Sequence, residues 1–494
     1  MEQRRSIVFY LNGKRVQLVP DSPTQTVLQF LRDTQGLTGT KEGCAEGDCG
    51  ACTVTQADLD TAGRIRYRPI NACIRFLPTL DGKVVWTVEG LSANGQQHPV
   101  QQAMVEHHAS QCGFCTPGFV MSLFAMYAQG VRQPSRDQVV DQLSGNLCRC
   151  TGYRPIIDAG RQIKAHTSAA PDHAQVQAWL YALQEDCSTP VRFTGSDPVS
   201  AQSQSWYAPR TAGQLAEYLT AWPDSTVLAG GTDVGLWVTR QQRQLDNIVY
   251  LGDVADLQTM QQDQAVRIGA GVLLEDAWPV LVEAYPELQE LWKRFASVPI
   301  RSSGTLVGNL ANGSPIGDAA PALIVLGAQV VIRNGAQVRR LPLEKLYVSY
   351  GKQARQPGEW IEALEVPVRP DNSYVASYKL SKRIDQDISA VCSAYALELD
   401  PHGIVRSIRI AHGGMAATTR RAIHTEAALL GEPWLEPTIR NAMQAMLQDY
   451  EPLSDMRASS RYQMTAAQNL LYRFYLQTQG STPTRVYGEY DVSH

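Results

Sequence analysis

Lys41-Glu42-Gly43-Cys44-Ala45-Glu46-Gly47-Asp48-Cys49-Gly50-Ala51-Cys52-Thr53 is the stretch whose reading decides this chain. It sets three cysteines in a C-x4-C-x2-C run, and Cys73 follows after twenty intervening residues. That spacing is the plant-type pattern for a [2Fe–2S] cluster: one short loop brings three thiolates around a small anionic core, and a fourth arrives from another element. Gly43, Gly47 and Gly50 let the loop turn tightly and aim amides at the sulfurs. Zinc is the bland alternative, but it favours paired C-x2-4-C knuckles, which this three-cysteine cradle matches poorly.

Working outward, a second set appears as Cys112-x2-Cys115, closed by Cys148-x-Cys150, so eight of the ten cysteines fall into two constellations. Read alone, the second set is compatible with an iron–sulfur cluster, with zinc, or with a redox dithiol at Cys112-Gly113-Phe114-Cys115. Neither set includes a histidine, which disfavours a Rieske-type centre. Cys187 and Cys392 lie outside both sets and read as free thiols. The opening MEQRRSIVFYLNG runs straight into strand-like alternation, with no signal-peptide pattern. A disulfide framework is therefore not expected, and the expected location is cytoplasmic.

The 494 residues imply three or four domains. With 44% hydrophobic and 19% charged residues the composition is that of an ordinary globular protein. A net charge of -4 gives nucleic-acid binding no electrostatic support. No apolar run reaches the length of a membrane span, and there is no internal repeat.

Residues 5–20 predict a β-hairpin turning at Asn12-Gly13, and Asp21 to Thr26 supply capping chemistry for a helix, VLQFLRDTQ, that Gly36 ends. Strand-like sequence resumes after the cysteine loop, through Val84–Val88. From about residue 97 the pattern turns helical: Val100–Ala109, then FVMSLFAMYAQG opened by Thr116-Pro117-Gly118, then a helix beginning at Arg154-Pro155. The second cysteine set thus lies at helix ends, where a helix N-terminus favours an anionic group. Residues 165–205 are rich in Ser, Ala and Pro and read as an interdomain linker with one short helical stretch. A new domain begins near Trp206.

In that domain Ser225-Thr226-Val227-Leu228-Ala229-Gly230-Gly231-Thr232-Asp233-Val234-Gly235 reads as a strand, a glycine turn and a helix. Such a turn offers amides to a pyrophosphate, or needs its glycines for geometry alone. Two further glycine-rich stretches, Ile268–Gly271 and Gly304–Asp318, accompany it, and no G-x-G-x-x-G fingerprint is present. Three such loops point to an extended cofactor held by backbone. Beside iron–sulfur clusters a flavin dinucleotide is the natural candidate, because it joins two-electron to one-electron chemistry.

EGCAEGDCGAC, QCGFCTPG, GNLCRCTGY, LAGGTDVG, FASVPIRSSGTLVGNLANGSPIGD and YKLSKRIDQDIS together make nearly the whole chain resemble the iron–sulfur/FAD small subunits of xanthine dehydrogenases, in the molybdenum hydroxylase family. The resemblance implies an α+β multidomain fold. A plant-type ferredoxin domain of β-grasp form would span 1–90, and an all-α four-helix [2Fe–2S] domain 91–165. After a linker at 166–205 would come a two-subdomain FAD-binding domain of vanillyl-alcohol-oxidase type (206–372), a CO-dehydrogenase-flavoprotein-type domain (373–480) and a tail (481–494). It implies two [2Fe–2S] clusters, one on Cys44, Cys49, Cys52 and Cys73 and one on Cys112, Cys115, Cys148 and Cys150.

It implies FAD contacts at Thr226, Val227, Leu228, Ala229, Gly230, Gly231, Thr232, Asp233 and Val234, with Phe295 beside the flavin. Thr305, Asn309, Asn312 and Asp318 match the second FAD loop, and Ile361 and Lys379 match later contacts. Asp318 and Lys379 are the candidates for tuning the flavin. No general base is expected. The loop Lys382–Asp387 matches the border of a nicotinamide pocket, and Ser454–Arg457 with Ser460–Tyr462 match a closing motif. The chain ends near the close of the flavin module. The expectation is therefore an electron-transfer subunit whose molybdopterin site sits on a large partner subunit, two of each forming a heterotetramer, with NAD+ as acceptor. The donor reaction by this likeness is hydroxylation of xanthine or hypoxanthine. The alternative is another hydroxylase of the family, acting on an aldehyde, an N-heterocycle or an aromatic acyl-CoA.

Overall fold

Asn12 and Gly13 both take positive φ, 50° and 80°, and turn the strand Ile7–Leu11 back on Lys14–Leu18 in antiparallel register. In the computed structural model, which describes residues 3–92, 95–164, 172–197 and 200–480, this hairpin starts a five-stranded sheet. Its order is Lys14–Leu18, Ile7–Leu11, Val84–Trp86, Thr53–Leu59, Ile65–Asn71. Strand periodicity divides the sheet's side chains between two cores. Ile7, Phe9 and Leu11 face one that includes Trp206, Ile248 and Tyr250, and Val8 with Tyr10 faces another that includes Val100, Phe119 and Leu180. The ferredoxin sheet is thus covered by neighbours on both faces.

Thr26 and Gln29 form the capping box of the expected helix. After one α-turn, Val27–Gln29, the segment Phe30–Thr34 widens to a π-turn, and Gly36 follows at φ 68°. The wider turn keeps Phe30 and Leu31 both buried, and a helical periodicity in the sequence carries no sign of it.

Four helices form the next unit: Pro99–Glu106, Thr116–Ala128, Arg136–Gln142 and Arg154–Arg161. Thr116–Ala128 is buried from Gly118 onward and forms its centre.

The stretch 166–205 is more ordered than the linker reading. Its described part holds a helix, His173–Asp186, capped by Asp172, and a strand, Val191–Ser196. Val176, Leu180 and Leu183 recur at helical spacing and are buried against the ferredoxin sheet, where Trp179 stacks on Tyr10 at 4.8 Å. Val191–Ser196 pairs with Ser203–Ala208 and so belongs to the following domain. The Ser/Ala/Pro composition concealed an apolar stripe that has a partner only in the folded chain. Residues 165–171, 198–199 and the tail at 481–494 lie outside the described residues.

The region from 191 to 367 has two sheets. One is Val191–Ser196, Ser203–Ala208, Asn247–Tyr250, Thr226–Leu228, the last three parallel. The other is antiparallel: Met260–Gln262, Ala265–Gly269, Trp360–Pro367, Gln329–Asn334, Gln337–Pro342. A final four-stranded sheet, Ser373–Leu380, Val391–Leu399, Val405–Gly413 and Arg420–Arg421, packs with the helices Glu436–Ala445 and Ser460–Gln479 around Tyr395, Trp434 and Phe474. The fold is multidomain α+β, as expected. Among the described residues no helix is long and apolar enough to cross a membrane.

Candidate functional site

The first cysteine loop gathers all four residues of its set. Side-chain hydrogen bonds run from Cys44 to Cys49 and to Cys73, and from Cys52 to Cys73. These contacts draw the Cys44 and Cys52 thiols down and push Cys49 and Cys73 up. The amides of Glu46 and Cys49 point at Cys44 Sγ from 3.5 and 3.4 Å, and Asn71 Nδ2 lies 3.9 Å from Cys52 Sγ. Gly43 leaves no room for more: a Cβ there would sit 2.8 Å from Cys49 Sγ. Burial pushes the neighbouring Asp48 carboxyl up; Cys44 adds to this and Arg383 opposes it.

The second quartet is also assembled, through Cys112 with Cys150 and Cys115 with Cys148. It is more open: Cys112 and Cys150 are exposed, while Cys148 is buried. Burial pushes Cys115 up to about 12. At Cys148 burial acts upward too, but the Thr151 hydroxyl, 3.1 Å from Sγ, and the Thr151 amide outweigh it and bring the thiol down. Cys115 stands at the N-cap of Thr116–Ala128, the placement expected for an anionic group. No three His, Cys, Asp or Glu side chains among the described residues are grouped as one metal ion requires. Four thiols in each set suit a two-iron core, whose four thiolates are divided between two metals.

The segments that carry the two quartets meet through their backbones. Leu147 N donates to Cys49 O at 3.0 Å, joining the residue before Cys148 to a cysteine of the first loop. Asn146, 3% exposed, locks the junction: Nδ2 donates to Gly50 O (3.1 Å) and Thr53 Oγ1 (3.2 Å), and Oδ1 accepts from Ser122 (2.6 Å). Gly50, at φ 68°, is required there because a Cβ would fall 2.0 Å from Gly145 O. Sequence reading passed over Asn146, although its place just before the C-x-C pair was a signal.

The strand Thr226–Leu228 enters the turn Ala229–Asp233, and Val234 begins a helix. A Cβ on Gly230 would lie 2.1 Å from Ser303 O, so the first glycine turn rests on the second glycine-rich loop. Thr232 Oγ1 approaches Gly304, Thr305 caps the helix Leu306–Asn312 through Gly308 N (2.9 Å), and Asn312 hydrogen-bonds Asp233. Burial raises the Asp233 carboxyl, and Asn312 partly offsets this. Asn309 Oδ1 faces Gly317 across the same loop. The loops expected at 226–234 and 305–312 are therefore packed side by side, an arrangement of exposed amides and small side chains of the kind that suits a dinucleotide. Phe295 packs on Trp278 at 5.7 Å, and Ile361 is buried in the same apolar core. Asp318 and Lys379 come together as a buried ion pair of 2.7 Å; Ser389 Oγ donates to the other Asp318 oxygen at 2.5 Å. Ser389 too was missed, because 71 residues separate it from its partner.

The glycine loops adjoin the first cysteine loop. A Cβ on Gly235 would meet Ile74 O, next to Cys73, at 2.4 Å, and one on Gly47 would meet Ile74 and Ile300. Thr239 Oγ1 donates to Ala45 O at 2.8 Å. The loop Lys382–Asp387 is fixed by Arg294, which donates to Ile384 O at 2.8 Å. Asp455 caps its own turn through the amides of Arg457 and Ala458 ahead of Ser460–Gln479.

Two thiol quartets on adjoining segments, with the glycine loops packed against one of them, are the frame of a two-cluster iron–sulfur flavoprotein. Residues 9–76 match a 2Fe-2S iron–sulfur cluster binding domain and 87–161 a [2Fe-2S] binding domain. Residues 200–369 match the FAD binding domain in molybdopterin dehydrogenase, and 376–478 a CO dehydrogenase flavoprotein C-terminal domain. Together these matches support reading the chain as an iron–sulfur/FAD component of the molybdenum hydroxylase family.

It is similar to xanthine dehydrogenase of Emericella nidulans, 32% identical over 95% of this chain and 38% of that protein, and to that of Blastobotrys adeninivorans, 29% identical over 95% and 40%. The chain thus spans about two fifths of the length of these relatives. Among solved structures, a carbon monoxide dehydrogenase chain from Hydrogenophaga pseudoflava superposes with TM-score 0.51 at 25% identity, covering 54% of this chain and 94% of that one. Quinoline 2-oxidoreductase from Pseudomonas putida 86, at 23% identity and TM-score 0.50, shares the fold over 56% of this chain and 96% of that one.

Proposed function

We propose that this chain carries electrons from a molybdopterin site outside its own residues, through two [2Fe–2S] clusters to FAD and on to NAD+, in support of xanthine or hypoxanthine hydroxylation. The observation that carries this reading is the unbroken line of contacts: Cys148 follows Leu147, Leu147 is bonded to Cys49, and Ile74 beside Cys73 abuts Gly235 of the nucleotide turn. Bound clusters supply one-electron steps and FAD couples them to a two-electron acceptor.

The chain's own residues do three things in this scheme. Cys44, Cys49, Cys52 and Cys73 hold one cluster, and Cys112, Cys115, Cys148 and Cys150 the other. Asn146 and Gly50 fix their spacing. The segments 226–234, Phe295, 305–312 and Asp318 with Ile361 and Lys379 hold and orient the flavin, and Lys382–Asp387 borders the acceptor. The exposed rim at Cys112, Phe114, Leu147, Cys150 and Tyr153 is the face for the donor, provided by a large partner subunit in a heterotetramer. The donor's substrate class follows the xanthine dehydrogenases named above.

An anaerobic NADH titration of the purified chain tests the path. Bleaching of flavin and iron–sulfur absorbance together is the expected result. Full cofactor content without a response to NADH rejects NAD+ as the acceptor.

A further inference from the structure

Seven residues of the helical cluster domain, Asp141–Leu147, touch both neighbours at once. Asn146 and Leu147 grip the first cysteine loop. On the other side, Ser144 Oγ accepts from Val298 N at 3.3 Å, and a Cβ on Gly145 would press within 2.6 Å of Ser297 Cβ. Asp141 Oδ1 accepts from Arg301 Nη2 at 3.3 Å.

Arg301 is the unexpected member. It is 2% exposed and ends a short helix, Val298–Arg301, that begins three residues after Phe295. Its guanidinium uses three donors in three directions. Nε reaches Glu275 Oε2 at 2.8 Å, Nη1 reaches the carbonyl of Phe295 at 3.2 Å, and Nη2 reaches Asp141 across the domain boundary. Its Cζ stands 4.5 Å over the ring of Trp292, which stacks on Trp278, which packs on Phe295. Between Phe295 and Ser297, Ala296 is held at φ 52°, a left-handed conformation that a residue with a Cβ adopts only when its surroundings enforce it. The enforcing contacts are the Arg301 fork on one side and Ser144–Gly145 on the other. A planar, permanently charged group with fixed fork geometry is suited to this task, and a lysine is not.

We infer that Arg301 is a positioning residue, linking the seating of the helical cluster domain, through Asp141, to the conformation of Phe295–Ser297 at the flavin site. The inference rests on the reading that Phe295 lies beside the flavin. It makes flavin binding depend on residues of a domain that contributes none of the flavin cleft.

The test uses the full chain with its cofactors, as wild type, Arg301→Lys, the helical-domain pair Asp141→Asn/Ser144→Ala, and all three combined. FAD affinity, visible circular dichroism of the flavin and the EPR spectra of both reduced clusters are read. Arg301→Lys is expected to weaken FAD about tenfold and alter the flavin dichroism while both cluster spectra persist. The helical-domain pair is expected to weaken FAD about threefold from outside the flavin domain, and the triple variant to be no weaker than Arg301→Lys alone. An unchanged flavin in the helical-domain pair, or strictly additive losses in the triple variant, overturns the link even if Arg301→Lys fails to fold. A wild-type chain that takes up no FAD removes the flavin reading itself and the link with it.

Discussion

Lys379 Nζ lies 2.7 Å from Asp318 Oδ2, and the two side chains, 4% and 9% exposed, form one buried ion pair rather than two separate charges. Lys379 also donates to the carbonyl of Arg294 at 3.1 Å, and Arg294 returns a bond to the carbonyl of Lys379 at 2.7 Å. The pair therefore clamps the segment 294–295 onto the C-terminal sheet. Sequence reading named the two residues one by one as tuning candidates; the geometry makes them a single pair.

Replacing only one partner leaves an uncompensated buried charge. Asp318→Asn is expected to destabilise the chain by about 3–5 kcal/mol, and Asp318→Asn with Lys379→Met to recover most of it. Thermal melting of the three proteins measures this. The single variant, with its unpaired ammonium, should also raise the flavin potential, since positive charge favours the electron-rich reduced ring. Equal melting temperatures for the single and double variants would contradict the pairing.

What the sequence disclosed depended on chain separation. The cysteine loops were readable because three ligands of the first set and a pair in each half of the second lie within a few residues of one another. The hairpin at Asn12-Gly13 and the cap at Thr26 are likewise local, set by backbone rules that act over four residues. The Asp318–Lys379 pair spans 61 residues and the Gly50–Asn146 bond 96, and nothing in the chain's pattern announces either. The stripe Val176, Leu180, Leu183 failed to announce itself for another reason. It is short, lies next to a Ser/Pro-rich run, and becomes meaningful only when Tyr10 and the ferredoxin sheet are in place.

Gly50 separates backbone strain from packing. At φ 68° any side chain costs about 1–2 kcal/mol, and a Cβ would also collide with Gly145 O. Gly36 has the same φ of 68° with nothing within 4 Å of a Cβ. Gly36→Ala should therefore lose only the backbone cost. Gly50→Ala should lose several kcal/mol more and release the helical cluster domain to proteolysis between residues 76 and 99. Matched losses in the two variants would show that the close approach at Gly50 does not hold the domains together.

The two quartets should be separable by spectroscopy. Cys52→Ala removes a buried ligand of the first set and Cys148→Ala one of the second. Each is expected to halve the iron content and to remove a different one of two EPR signals from the dithionite-reduced protein, with the other signal retained. Because the first quartet lies in the contact zone of two neighbouring domains, Cys52→Ala should also lower the melting temperature more than Cys148→Ala. Loss of both signals in either variant would mean that the sites do not assemble independently.

His412 gives the chain a built-in sensitivity to acid. The ring is fully buried in the C-terminal domain, Nδ1 is 3.1 Å from Tyr450 Oη, and burial pulls its pKa from 6.5 down to about 3. The folded state thus binds no proton there until about pH 3, whereas the unfolded chain binds one below about 6.5. With the unfolded state holding more protons across that window, stability falls as pH falls, by up to about 1.4 kcal/mol per unit from this one group. Above pH 7 the group is neutral in both states and contributes no slope. His412→Gln keeps a hydrogen-bonding side chain that does not titrate, so its denaturation midpoint should fall less steeply than that of the wild type between pH 6.5 and 5. Parallel pH profiles for the two proteins would show that another buried group sets the acid limit.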